Sequence, residues 1–245
     1  MSDLPGEPER PGVSDELRAD LEAFVRRHFG AAARLENLEP MLGGHAGLTF
    51  GFGVAGMAER YIIKLAPKGV RREGNTDVYR TAPLLRTLHG QGLPVPAVPF
   101  AAPDEAEFGV PYVVMARLPG REFFIWEPHE SFDRSPAATA PLWRQTAEVL
   151  PRIHQVDWQA LLPDWEAPRP LEVEISRWEP IYRKALEPEW IEHADRLRLR
   201  LLETMPAEPL LGIVHGDYQP GNCLFDQGRL TGAFNMHDLL RAGVV

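Results

Sequence analysis

The most specific segment of this chain is Ile213-Val214-His215-Gly216-Asp217-Tyr218-Gln219-Pro220-Gly221-Asn222. It reads as a loop that carries Asp217 and Asn222, and the run Cys223-Leu224-Phe225 follows it at once as a strand. The carboxylate and the amide therefore reach one small space. Phosphoryl transfer needs a carboxylate to accept the proton of the acceptor hydroxyl, and oxygen ligands to hold Mg²⁺ on the nucleotide phosphates. Asp217 suits the first role and Asn222 the second.

Three β-type segments are predicted in the first half of the chain. The runs 48–54 and 61–65 flank Ala55-Gly56-Met57-Ala58, which is typical of a hairpin that turns near Gly56. The apolar run Tyr112-Val113-Val114-Met115 is typical of a buried strand, and Leu118-Pro119-Gly120 ends it. We therefore place a boundary between two parts of the fold directly after this strand.

Helical patterns flank these strands and dominate the second part. Ser14 is a good N-cap for a helix that closes near Gly30, and Thr81 is expected to cap a helix that runs to His89. Further helices are predicted over 141–154, 171–186 and 189–202, and a second hairpin over 223–225 and 230–234. A mainly β part followed by a mainly helical part indicates an α+β fold.

The composition indicates an acidic globular protein. The chain has 245 residues, with 26 Lys+Arg against 35 Asp+Glu, and its net charge of −9 disfavours non-specific nucleic-acid binding. A single cysteine, Cys223, excludes an intrachain disulfide and favours a reducing compartment. No run approaches the roughly 18 apolar residues that a membrane helix needs. We therefore predict a cytoplasmic protein that binds no membrane, with residues 1–13 as a disordered tail.

The loop resembles a known catalytic loop. His215-Gly216-Asp217, followed by four residues and then Asn222, is similar to that of the aminoglycoside phosphotransferase and choline kinase group, distant relatives of protein kinases. The resemblance extends over about residues 35–245. It implies a two-lobed, kinase-like α+β fold, with an N-lobe over residues 14–116 and a C-lobe over residues 117–245 that carries the catalytic hairpin.

The same resemblance implies the remaining site residues. Lys64 stands where the family has its nucleotide-phosphate lysine, and Met115 begins the hinge that contacts adenine through backbone atoms. The family's Gly-rich loop, whose backbone N–H groups cover the triphosphate, corresponds to Gly43, Gly44 and Gly47. Asp217 is then the catalytic base, and Asn222 and Asp238 hold Mg²⁺. The implied cofactors are ATP or GTP with Mg²⁺, and the implied partner is a small-molecule hydroxyl acceptor.

Within this group, the segments 74–80 and 93–98 look most like the bacterial phosphotransferases related to the kinase-like domain of certain acyl-CoA dehydrogenases. The resemblance to this subgroup favours a hydroxyacyl compound as the acceptor. Relatives continue for many residues past the position of Gly243, whereas this chain ends two residues later, which leaves a fragment, a disrupted relative and a reduced domain as alternatives.

Two departures from the family pattern keep other functions open. Thr81 aligns with the helix glutamate that usually holds the lysine, and Glu73 and Asp77 are alternative partners for it. An alignment without a gap puts Asn235 on the second metal position instead of Asp238, and an amide binds Mg²⁺ more weakly than a carboxylate. Together with the early C-terminus, both departures favour the alternative of a nucleotide-binding or inactive pseudokinase-like fragment. A metal-dependent hydrolase built on His215, Asp217 and His237 has little support, because no further ligand spacing completes a site.

Overall fold

A five-stranded antiparallel sheet forms the first part of the protein. In the computed structural model, residues 12–41, 48–72, 76–233 and 240–241 are described, the last two by their backbone only. The sheet has the order β1-β2-β3-β5-β4, and all of its neighbours are antiparallel. Its strands are β1 (Leu35–Pro40), β2 (Leu48–Val54), β3 (Arg60–Leu65), β4 (Phe100–Ala102) and β5 (Tyr112–Ala116).

The predicted hairpin between β2 and β3 is confirmed. Gly56 lies between the two strands with a φ of +79°, a conformation that glycine adopts without strain. In the register of the sheet, Lys64 lies opposite Thr49 on one side and opposite Val113 on the other. Residues directly opposite one another share a face, so these three side chains lie on the same face of the sheet.

The other face of the sheet holds the hydrophobic core. Tyr61, Ile63 and Leu65 alternate with the residues of the first face and are buried. Helix α1 (Asp15–Phe29) packs here, and the Phe24 ring meets the rings of Phe100 and Tyr112 edge to face. Ser14 caps this helix as predicted, because its hydroxyl accepts the Leu17 N–H at 3.1 Å.

The second helix begins differently from the prediction. Helix α2 (Thr81–Gly90) follows a 3₁₀ turn over Val78–Arg80, and its N-cap is Arg80, which makes no side-chain cap bond. Thr81 is the first helical residue, and its hydroxyl donates to the Val78 carbonyl at 3.1 Å. The expectation that Thr81 caps the helix was therefore wrong, because its hydroxyl donates to a carbonyl of the preceding turn.

Helices and two small sheets make up the second part. The helices are α3 (Pro136–His154), α4 (Trp158–Leu161), α5 (Leu171–Ser176), α6 (Glu179–Tyr182) and α7 (Pro188–Glu203). The helix predicted over 171–186 is thus interrupted, because Pro180 has no N–H with which to continue α5. The predicted hairpin is β8 (Cys223–Asp226) with β9 (Arg229–Ala233), and β6 (Arg121–Glu122) extends it. A second pair joins β7 (Ile213–Val214) to β10 (Leu240–Arg241).

Several contacts join the two parts of the fold. Ala233 at the end of β9 donates its N–H to the Pro94 carbonyl at 2.7 Å. Arg80 pairs with the carboxylate of Glu166, and the Trp165 indole N–H donates to the Arg80 carbonyl at 2.7 Å. These bonds connect the start of α2 to the segment after α4. Among the helices of the described ranges, none combines the length and apolar character needed to cross a bilayer.

Gly120, in the segment between β5 and β6, packs against the hairpin of β8 and β9. Its φ is +106°, and a Cβ at this position would lie 2.5 Å from the Phe225 carbonyl oxygen. We expect Gly120→Ala to lower the free energy of unfolding by about 2–5 kcal/mol, since left-handed strain and a backbone clash add together. Gly56→Ala is the matched control: its φ is +79° with nothing within 4 Å, so its loss is about 1–2 kcal/mol. Urea unfolding measures both, and equal losses would contradict the role given to the clash.

Candidate active site

The loop over residues 215–222, named the catalytic loop for its family resemblance, leaves β7 through a tight turn. Gly216 has a φ of +76°, which turns the chain directly after His215. The His215 side chain is only 1% exposed, and its ring packs edge to face on Tyr218 with centroids 5.1 Å apart. The Asp217 N–H points at His215 Nδ1, 3.4 Å away. His215 therefore braces the backbone that carries Asp217.

Asp217 is held by two side chains of its own loop. Asn222 Nδ2 donates to Asp217 Oδ2 at 2.8 Å and to the Asp217 carbonyl at 2.7 Å. Gln219 Nε2 donates to the other carboxylate oxygen, Oδ1, at 2.9 Å. Both oxygens thus accept a hydrogen bond, which fixes the plane of the carboxylate. Asp217 itself lies at the surface, within reach of a ligand.

A 3₁₀ turn over Pro220–Asn222 brings Asn222 back to Asp217. The Asn222 N–H donates to the Gln219 carbonyl at 2.9 Å, and its side chain is only 7% exposed. The turn is anchored from outside the loop, because the Phe123 N–H donates to the Pro220 carbonyl at 3.3 Å. The structure therefore brings together Asp217 and Asn222, the pair expected from their spacing.

Lys64 lies on β3 in a largely desolvated setting. Burial lowers the pKa of its ammonium group from 10.5 to about 8. On the neighbouring strand β5, Val113 lies opposite Lys64 and Met115 lies opposite Ile62. Lys64 and Met115 therefore share one face of the sheet, the face away from the aromatic core.

Thr49 is a residue of this face that the sequence did not single out. It lies directly opposite Lys64 in the β2–β3 register. Its hydroxyl oxygen is buried and has no hydrogen-bond partner among the described residues. A buried hydroxyl without a partner is costly, so this atom is suited to receive a polar group from a ligand. An isolated threonine in a strand pattern carries no sequence signal for such a role.

The end of β5, where the family resemblance implies a hinge that begins at Met115, is fixed by backbone bonds. The Ala116 N–H donates to the Ala97 carbonyl at 2.8 Å, and the Arg117 N–H donates to the Arg60 carbonyl at 2.8 Å. Arg117 also reaches across Gly51 to the Glu39 carboxylate, at 2.6 Å. The end of β5 is thus held at the edge of the face that carries Lys64.

Several predicted site residues lie outside the described ranges. These are Gly43, Gly44 and Gly47 of the Gly-rich loop, Asp238 and Asn235 of the second metal position, Glu73 and His237. Thr81 is buried, and its hydroxyl is used by Val78. In the part of the chain that the structure describes, no three His, Cys, Asp or Glu side chains come together as metal ligands.

The catalytic loop offers one half of an oxygen site for a cation. The Asn222 amide nitrogen faces Asp217, so the amide oxygen Oδ1 is the atom of that side chain able to ligate a metal. Carboxylate and amide oxygens are the ligands that Mg²⁺ takes from proteins. The Asn222 amide oxygen fits such an ion, and a carboxylate ligand would complete the set.

Comparison with solved structures shows the same fold in antibiotic phosphotransferases. A candidate aminoglycoside phosphotransferase from Ralstonia eutropha is similar at 27% identity with a TM-score of 0.71, over 92% of this chain and 66% of that one. The aminoglycoside-3'-phosphotransferase of type VIII is similar at 22% identity with a TM-score of 0.54, over 93% and 79%. The macrolide 2'-phosphotransferase type I is similar at 19% identity with a TM-score of 0.62, over 94% and 74%.

These similarities confirm the predicted kinase-like α+β fold. No curated protein matches the sequence at a significant level. The chain spans 66% of the length of the Ralstonia eutropha protein. The sequence profile of the phosphotransferase enzyme family matches residues 37–234, which is most of the chain, and the protein therefore belongs to that family.

Proposed function

We propose that the protein transfers the γ-phosphoryl group of ATP or GTP to a hydroxyl group of a small molecule. The observation that carries this proposal is the Asp217 carboxylate, exposed at the surface and held on both oxygens by Gln219 and Asn222. Such a carboxylate can accept the proton of a hydroxyl while the hydroxyl oxygen bonds to the γ-phosphorus. The bond from that phosphorus to the β,γ-bridging oxygen breaks, and the nucleoside diphosphate leaves.

The nucleotide lies, in this proposal, on the face of the sheet that carries Lys64. Its ammonium group contacts the α- and β-phosphates, and Thr49 offers the buried hydroxyl beside it. Met115 begins the hinge for the base, and Gly43, Gly44 and Gly47 cover the triphosphate. Relatives of the same fold have been solved with ADP, AMP-PNP and GDP, which supports a purine nucleotide here.

Asn222 and Asp238 would hold Mg²⁺. When bound, the ion neutralises charge on the transferring phosphates. Support for Asp238 over Asn235 comes from the pairing of β7 with β10, in which Leu240 lies opposite Val214. Leu240 is two residues beyond Asp238, and Val214 directly precedes the catalytic loop. Leu240 therefore lies beside the strand that precedes Asp217 in the chain.

The proposed lobes are residues 14–116 and 117–245, after the tail 1–13. All five strands of the large sheet end by Ala116, and the catalytic hairpin and α3–α7 follow it. Nucleotide-binding residues then come from the first lobe and the catalytic loop from the second. The acceptor is proposed to be a small molecule, because relatives of this fold have been solved with hygromycin B, kanamycin and streptomycin.

A second candidate function is a nucleotide-binding pseudokinase. The observation that favours it is Thr81, which stands where the family has a glutamate and uses its hydroxyl on the Val78 carbonyl. Asp77 sits in the turn just before and forms no side-chain cap bond there. A kinase-like site that lacks the glutamate keeps its nucleotide contacts but positions the triphosphate less firmly.

Thermal unfolding with ATP distinguishes the two candidates. We expect ATP with excess Mg²⁺ at roughly 100 times Kd to stabilise the protein by about 2.7 kcal/mol, a rise in Tm of about 5–10 °C at this chain length. The same experiment in EDTA should give a much smaller rise, because the metal ligands then have no ion to bind. An equal rise in Tm in both buffers would favour the pseudokinase. No rise in Tm in either buffer would contradict nucleotide binding.

A further inference from the structure

An aromatic pocket opens beside the catalytic loop. It lies between the segment that follows β6 and the first half of α3, and its volume is about 340 Å³. Two tryptophans line it, Trp126 with 87% of its side chain exposed and Trp143 with 48% exposed. Phe123 and Ile125 form an apolar wall of the pocket, and Thr139 lines it from α3. Exposed indoles of this extent are typical of surfaces that a ligand covers.

One wall of the pocket contacts the catalytic loop. The Phe123 N–H donates to the Pro220 carbonyl at 3.3 Å, so one wall of the pocket is bonded directly to the turn that positions Asn222. The next residue, Phe124, lies against Gly221, where its ring approaches to 3.3 Å of a Cβ position. The segment that forms this wall therefore contacts the catalytic loop at Pro220 and Gly221, three and four residues after Asp217 in the sequence.

The charge of the pocket selects the kind of compound. Of the described side chains that line it, Arg134 alone is charged. Arg134 donates to the Pro128 carbonyl at 2.7 Å, which fixes its guanidinium at the pocket while other N–H groups remain for a ligand. Glu127, Glu130 and Asp133 belong to the same segment but do not line the pocket. A cationic compound would meet Arg134 unfavourably, and a carboxylate would gain a charge-assisted hydrogen bond.

We infer that the aromatic pocket is the acceptor site and takes an apolar hydroxy acid, with its carboxylate on Arg134 and its apolar body against Trp126 and Trp143. This inference rests on the proposed function, because the acceptor hydroxyl must reach Asp217 and the γ-phosphoryl group. The hydroxyl proton passes to the Asp217 carboxylate as the oxygen bonds to phosphorus. Trp126 and Arg134 set the choice of acceptor and take no part in the proton transfer.

Three small probes test the inference by direct binding, which needs no turnover. Mandelate, its neutral amide mandelamide and the cationic amino alcohol phenylglycinol share a phenyl ring and a hydroxyl but differ in charge. Calorimetric titration of the whole chain at low salt should show mandelate binding about five- to tenfold more tightly than mandelamide, with phenylglycinol weakest. Arg134→Gln should abolish the preference for mandelate, and Trp126→Ala should weaken all three probes. Trp190→Ala, a change of an exposed tryptophan on α7, should alter none of them.

The results separate this inference from the proposed function. Binding that is equal for the three probes, absent at millimolar concentration, or unchanged in Arg134→Gln and Trp126→Ala overturns the inference. The same probes are then offered with ATP and Mg²⁺. If mandelate binds through Arg134 but is never phosphorylated, the result contradicts the proposed phosphoryl transfer. The pocket then still stands as a binding site for the hydroxy acid. If other alcohols are phosphorylated and neither variant changes their KM, the pocket is not the acceptor site. The proposed phosphoryl transfer then still stands.

Discussion

Asp217→Asn should lower kcat by about 10²- to 10⁴-fold while the Kd for ATP changes by less than about twofold. The asparagine keeps the size of the side chain but cannot take a proton from the acceptor hydroxyl. It can still occupy the space between Gln219 and Asn222, so the loop should keep its shape. Initial-rate kinetics on an accepted hydroxyl compound gives kcat, and titration with ATP gives the affinity.

A companion variant distinguishes a base from a positioning residue. Gln219→Leu removes one hydrogen bond to the Asp217 carboxylate but leaves the carboxylate itself. We expect it to lower kcat by only about three- to tenfold, the effect of one hydrogen bond to a charged group that is exposed to water. If Asp217→Asn retained kcat within tenfold of the wild-type value, Asp217 would not be the base.

The proximity of Asp217 and Asn222 could be predicted from sequence because the geometry of their loop is local. The spacing of Asp217 and Asn222 is closed by a single 3₁₀ turn, and glycine and proline mark that turn in the sequence. The role of Gln219 was missed, since its reach to Asp217 depends on the side-chain direction in an irregular loop. No periodicity in the sequence reports that direction.

Other parts of the fold depend on contacts between distant segments. Strand β1 lies at an edge of the sheet and has mostly exposed side chains, so it lacks the apolar alternation that identifies a strand. It forms because its backbone pairs with β2. Trp126 and Trp143 likewise meet at one pocket only because β6 and α3 are both anchored near the catalytic hairpin. Thr81 was assigned as a cap from its residue type, whereas the turn before it decides where its hydroxyl goes.

Lys64→Met should weaken ATP binding by about 10- to 100-fold, which corresponds to one hydrogen bond between charged groups. Methionine fills a similar volume without a charge, so the strand pairing of β3 should persist. Lys68→Met is the matched control, because Lys68 is exposed and its ammonium group contacts Glu16 at 3.4 Å, on the surface. Titration with ATP and excess Mg²⁺ measures both variants. Equal affinities for ATP in the two variants would contradict the contact between Lys64 and the phosphates.

The pKa of Lys64 gives this prediction a second test with a definite sign. Burial lowers that pKa to about 8, so the ammonium charge that attracts the triphosphate is lost as the pH rises through 8. The affinity of the wild-type protein for ATP should therefore fall between about pH 7 and pH 9, by up to about tenfold for each pH unit above the pKa.

The stability of the fold should follow the opposite trend with pH. Between about pH 8 and 10.5 the unfolded chain holds a proton on Lys64 that the folded chain has released. The free energy of unfolding of the nucleotide-free protein should therefore rise with pH over this range, because the cost of burying the charged ammonium group is lost. In Lys64→Met the contribution of this group to both trends should vanish, and a wild-type ATP affinity that is flat across this range would show that another group attracts the phosphates.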